Sequence, residues 1–143
     1  MGTAQLAWVQ DMKFVGKGAS GHEVVMDAVP EVGGHDSAAR PMEVLLIGLM
    51  GCTAMDVISI LKKKRQDVQD FKIFATFERS PEHPKKYTSI HLEYVAYGDV
   101  DLKALERAAE LSETTYCGAI AMVRGVATVT RSCRVEAAPP AAE

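Results

Sequence analysis

The chain has 143 residues, of which 48% are apolar and 24% charged, with a net charge of −3. That composition fits one ordinary globular domain and lacks the basic footprint that non-specific nucleic-acid binding needs. Three cysteines in such a chain do not make a disulfide framework. The start Met1-Gly2-Thr3 leads into strand-like residues without a signal-peptide core, so a cytoplasmic setting is expected.

In chain order, Ala4 to Val9 alternates, with Leu6 and Trp8 on one face, and reads as a strand. Asp11-Met12 is a turn signal and Lys13 to Gly16 a second strand. A glycine-rich loop, Gly16 to Gly21, leads to a third strand, His22 to Asp27. That loop has no P-loop pattern and lies between strands, so it is not read as a phosphate cradle. Ala28 to Ala39 carries Pro30, Gly33, Gly34, Asp36 and Ser37, all turn formers, and feeds a helix.

The helix, Arg40 to Arg65, organises the rest. Pro41 suits a first helical position, and Lys62 to Arg65 complement the carbonyl end. Val44 to Met50 is apolar on every side, which marks a buried helix. Gly48 and Gly51 each cost about 1 kcal/mol there relative to Ala, a cost that close approach of another backbone would offset. A domain this small encloses such a helix poorly by itself, and a partner subunit would supply cover. A membrane span is not expected: Glu43 and Asp56 interrupt the segment, and the apolar run Val44 to Cys52 is far short of the roughly 20 residues a span needs.

Beyond the helix, Phe71, Ile73, Ala75 and Phe77 alternate with polar residues in a strand. Tyr87 to Tyr97 forms its hairpin partner across a Pro-containing connection. Asp99 or Asp101 is placed to cap the next helix, whose stripe is Leu102, Leu105, Ala108 (or Ala109) and Leu111. Thr114 to Gly118 interrupts it, Ala119 to Arg124 is a short third helix, and Val126 to Val135 is a final strand. The order βββ–α–ββ–αα–β, segregated rather than alternating, predicts an α+β fold with largely antiparallel sheets. The single domain is taken as residues 1–135, with 136–143 an Ala-Pro tail expected to be disordered.

Two cysteines occupy places where a thiol can react. Cys117 lies at the break before a short helix, whose free N–H groups would favour a thiolate. Cys52 lies about 16 Å along its helix from Pro41, beyond the reach of the helix terminus, and needs a cation from elsewhere, Lys17 or Arg40. Asp56, at i+4, would disfavour a Cys52 thiolate. Against this stands the ordinary role of a free cysteine as a small buried hydrophobe, the role assigned to Cys133 beside Ala127, Val129 and Val135. No CxxC or HxxxH spacing supports a metal, and His22, His35, His83 and His91 are scattered.

Pro41-Met42-Glu43-Val44-Leu45-Leu46, then Gly51-Cys52-Thr53-Ala54-Met55-Asp56-Val57-Ile58-Ser59-Ile60-Leu61, resembles the core-helix signature of the OsmC/Ohr family. Thr115-Tyr116-Cys117 before a short helix resembles its second cysteine motif. The resemblance covers nearly the whole chain and is strongest to the OsmC-like, YhfA-type branch. It implies an intertwined homodimer with two core helices at its centre, and thiol-dependent reduction of organic hydroperoxides. Cys52 would become a sulfenic acid and Cys117 would resolve it as a disulfide. No bound cofactor is implied, and an external dithiol of lipoyl type would restore the thiols. Two departures alter the electrostatic support. The loop that carries an Arg in Ohr enzymes offers Lys17, a point charge without a bidentate fork. Met42 stands where their Glu follows the proline, with Glu43 one place later, about 180° around the helix from Cys52. The other function kept open is a non-enzymatic dimer that binds a small apolar or electrophilic molecule between its subunits.

Overall fold

The computed structural model describes residues 1–137. Contacts divide the chain into two compact units, Met1–Ile47 and Gly48–Glu143. Helix α1 (Pro41–Lys63) runs through the boundary.

The first unit is built on an antiparallel sheet of β1 (Gln5–Gln10), β2 (Lys13–Lys17) and β3 (Glu23–Met26), in that order. Asp11, with φ at 49°, makes the first turn. Trp8 Nε1 donates to the Asp11 carbonyl at 2.8 Å and fastens the hairpin. The loop after β3 folds around one buried carboxylate. Asp27 accepts the Ser37 hydroxyl at 2.6 Å and the N–H groups of Ala28, His35 and Ser37. These bonds, the Ser37 hydroxyl foremost, hold Asp27 well below the usual carboxylate range. Gly34 is required in this loop, because a Cβ there would lie 2.0 Å from the Ala28 carbonyl oxygen.

The second unit contains the sheet β4 (Asp67–Arg79), β5 (Tyr87–Asp99) and β6 (Thr128–Glu136), with β5 central. Tyr94 to Tyr97 are buried in succession on β5, as a central strand covered on both faces requires. Helix α2 (Leu102–Leu111) is capped by Asp101, whose side chain accepts the Lys103 N–H. Its buried Ala104, Ala108 and Ala109 allow close packing on β5 and β6. A π-helical turn (Ser112–Tyr116) and helix α3 (Gly118–Val123) complete the connection to β6.

The α+β class and the element order are as the sequence predicts, with two differences. First, β6 pairs with β5 in parallel, not antiparallel. A strand that returns through a helical crossover enters the sheet in the same direction as the strand it left, and strand alternation alone does not distinguish the two cases. Second, α1 is buried along one stripe only: Leu46, Leu49, Thr53, Val57 and Leu61, at three- and four-residue spacing. Leu45, Ile47 and Met55 are exposed on the single chain. Among the described residues, α1 is the one helix long and apolar enough to cross a membrane by length and composition. A Cβ placed at Gly48 or Gly51 would meet no described neighbour outside the helix within 4 Å, so the close backbone expected there is not supplied by the described residues of this chain. Glu136 closes β6, and the rest of the expected tail, apart from Ala137, lies outside the described residues.

Candidate functional site

Cys52 and Cys117 stand 65 positions apart in the chain, and the second unit brings them together. Cys52 is half-buried on α1 and Cys117 buried, both as free thiols. Cys117 caps α3: its sulfur accepts the Ile120 N–H at 3.3 Å, and its own N–H donates to the Ser112 carbonyl at 2.8 Å. The helix thus begins just after Cys117, at Gly118. The cap does favour a thiolate, but desolvation is stronger. Burial pushes the Cys117 thiol up to about 11, and its hydrogen bond to the Cys52 sulfur adds to the rise. The sequence-based expectation of a favoured Cys117 thiolate is therefore corrected: burial, the largest effect, favours its protonated thiol.

Around the pair runs a buried polar chain. Thr53, next to Cys52, is fully buried, with its hydroxyl 2.9 Å from the Tyr94 hydroxyl and 2.8 Å from that of Ser112. Ser112 in turn donates to Asp56 Oδ2 at 2.8 Å. Burial also holds the Tyr94 phenol protonated well above its ordinary range. Sequence reasoning missed Ser112, Thr53 and Tyr94, and considered Asp56 only as a charge near Cys52. The available signal was Thr53 itself, a hydroxyl in the stripe otherwise formed by Leu46, Leu49, Val57 and Leu61. The π-helical turn before Cys117 also carries Glu113, paired through Oε2 with Arg131. Its buried Oε1 has no hydrogen-bond partner among the described residues. Asp56, Ile60, Lys63, Leu111 and Tyr116 line a cleft of about 320 Å³ beside these residues.

The expected supporting residues have other partners. Lys17 faces Glu23 across the β2–β3 pair, at 3.4 Å. Arg40 lies 3.5 Å from Asp36 and 3.8 Å from Glu43. Glu43 also accepts the Arg40 backbone N–H at 3.0 Å, the reciprocal bond of a capping box, so it serves the start of α1. Cys133 is half-buried rather than fully core. It borders a cleft with Lys103, Glu106 and Arg131, and burial pushes its thiol up to about 11. Among the described residues, no three His, Cys, Asp or Glu side chains are grouped to hold a metal ion.

Comparison with known proteins agrees with this architecture. Residues 34–132 match the family model described as OsmC-like protein. Protein YhfA of Escherichia coli is 40% identical over 136 residues, covering 94% of this chain and 98% of its own. A hypothetical protein from Aquifex aeolicus superposes with a TM-score of 0.84 at 38% identity, over 95% of this chain and 96% of that one. The organic hydroperoxide resistance protein OsmC of Legionella pneumophila shares the fold, with a TM-score of 0.70 at 14% identity, over 94% and 97% of the two chains. With the two cysteine-bearing elements in place and the fold shared throughout, the chain belongs to the OsmC-like protein family.

Proposed function

We propose that the protein is a homodimeric thiol peroxidase that reduces organic hydroperoxides. The observation that carries this reading is the hydrogen-bonded pair of Cys52 and Cys117, assembled from two distant elements. Cys52, the more exposed of the two thiols, is the attacking sulfur in this reading, and the buried Cys117 the resolving one. The Cys52 thiolate takes the terminal oxygen of R–O–O–H and the O–O bond breaks. The alkoxide leaves as alcohol after protonation, and Cys52 becomes a sulfenic acid. Cys117 then displaces that oxygen as water to form the disulfide, and an external dithiol of lipoyl type reduces it. The cleft whose lining includes Ile60, Leu111 and Tyr116 suits an apolar substituent. Dimerisation is supported by the uncovered apolar residues of α1 and by β1, where Leu6, Trp8 and Val9 are all exposed. The cytoplasm, where dithiol reductants keep thiols reduced, is the setting this chemistry requires.

The test is mass spectrometry after one equivalent of cumene hydroperoxide. Wild type should form the Cys52–Cys117 disulfide. Cys52→Ser should be inert, and Cys117→Ser should complete one turnover and stop with oxygen on Cys52. If wild type forms no such disulfide and neither cysteine gains oxygen, the enzyme reading fails. One observation favours the second reading, a dimer that binds a small apolar or electrophilic molecule: Lys17 and Arg40 are both engaged by carboxylates. In that case an apolar ligand should bind equally well to Cys52→Ser.

A further inference from the structure

Ser112 bonds to Cys117 itself and to two residues of the helix that carries Cys52. Its carbonyl accepts the Cys117 N–H at 2.8 Å, an i to i−5 bond that defines the π-helical turn. Its fully buried hydroxyl is bonded to Thr53 and Asp56, the residues one and four places after Cys52 on α1. The backbone of Ser112 thus holds Cys117, while its side chain holds the Cys52 helix.

The direction of the bonds follows from proton counting. A hydroxyl has one proton to give. Ser112 gives its proton to the Asp56 carboxylate, so the bond between Thr53 and Ser112 is donated by Thr53. The proton of Thr53 is then used, so Tyr94 donates to Thr53. The chain Tyr94 to Thr53 to Ser112 to Asp56 runs one way and ends on a carboxylate. It ties β5, α1 and the Cys117 turn together, and each hydroxyl is satisfied only while its neighbours stay in place.

We propose that Ser112 is a positioning residue, clasping the Cys117 turn to the Cys52 helix and so setting the approach of the two sulfurs on which disulfide closure depends. This rests on the reading of Cys52 and Cys117 as a redox pair. In the closing step the Cys117 sulfur attacks the Cys52 sulfur of the sulfenic acid. An S–S bond forms and the S–O bond breaks. The oxygen leaves as water with the Cys117 proton, Cys52 is reduced and Cys117 is oxidised. That displacement requires the attacking sulfur in line with the S–O bond, so it is sensitive to small displacements of the turn.

The experiment equilibrates full-length wild type, Ser112→Ala, Thr53→Val and Thr53→Ser in buffers of reduced and oxidised glutathione. The Cys52–Cys117 disulfide is quantified by alkylation and mass spectrometry, and thermal melts of the reduced proteins monitor folding. Ser112→Ala and Thr53→Val should each shift the equilibrium toward the dithiol by about tenfold, and Thr53→Ser, which keeps the hydroxyl, should stay within about twofold of wild type. Thr53→Val preserves shape and decides the matter should Ser112→Ala fail to fold. The proposal is overturned if both hydroxyl deletions keep the wild-type equilibrium, if Thr53→Ser shifts as far as Thr53→Val, or if wild type forms no disulfide with glutathione. A disulfide that depends on Ser112 and Thr53 in glutathione but does not form with cumene hydroperoxide would retain the clasp and remove the peroxidase reading.

Discussion

At Cys117 two opposed effects act on one sulfur. The Ile120 N–H favours a thiolate, and burial, which is the stronger, opposes it. The net rise has a defined consequence for pH. The neutral thiol is the form the fold accommodates, so its contribution is complete below the ordinary thiol range and is lost as pH climbs toward about 11. In a Cys52→Ser, Cys133→Ser background, alkylation of Cys117 by iodoacetamide should therefore be slow at about pH 8 and accelerate well above the range of a free cysteine. A rate profile that levels off near pH 8 would contradict the buried, protonated assignment. Cys133 differs in lying outside the hydroxyl chain, and Cys133→Ser should retain hydroperoxide turnover with a modest loss of stability. Loss of turnover in a folded Cys133→Ser protein would show that the wrong two sulfurs had been paired. The placement of Cys52 within α1 and of Cys117 at the break before α3 was readable from the chain. The sign of the Cys117 shift was not, because desolvation comes from packing by residues distant in sequence.

Among the elements, α1 was the most legible. Pro41 and the basic cluster at its end are local signals, and helix termini obey local rules. The Glu43 cap was latent in the same segment, three residues after Arg40. The π-helical turn was legible only as a weakening of the α2 stripe at Thr114-Thr115, since the extra residue in its hydrogen-bonded ring leaves no composition signature. The direction of β6 was hidden for a related reason: alternation reports a face, never a polarity. The Asp27 loop yields an element-scale prediction. Its carboxylate is held below its unfolded value, so its stabilisation is present above about pH 4 and is lost as pH falls further. Asp27→Asn should lower the melting temperature at neutral pH and flatten its decline below about pH 4. Parallel melting curves for variant and wild type across that range would refute this.

At the scale of the whole molecule, the uncovered apolar surface is the dominant fact. Trp8 is 67% exposed, Ile47 59% and Met55 77%, a distribution that an isolated soluble chain rarely tolerates. The sequence indicated it through a helix apolar all round, and the single chain buries only one of that helix's faces. Light scattering at micromolar concentration should show a dimer, and a stable monomer would exclude the proposed assembly. Gly51→Leu should weaken the dimer by overpacking, at a cost of about 1–3 kcal/mol. The same variant, with open space around Gly51 on the single chain, should disturb an isolated monomer much less.

The separation of Cys52 and Cys117 along the chain has a consequence for heat resistance as well as for chemistry. A bond between them would close a loop of 65 residues, and restricting the unfolded chain to that loop is worth about 4 kcal/mol in the chain-entropy account. Oxidation would then raise the melting temperature, on the order of 10 °C for a domain of this size. Scanning calorimetry of fully reduced and fully oxidised protein would read the redox state as a thermal shift, and Cys117→Ser should abolish it. A chain exposed to oxidant would thereby become harder to unfold until a dithiol reopened the loop.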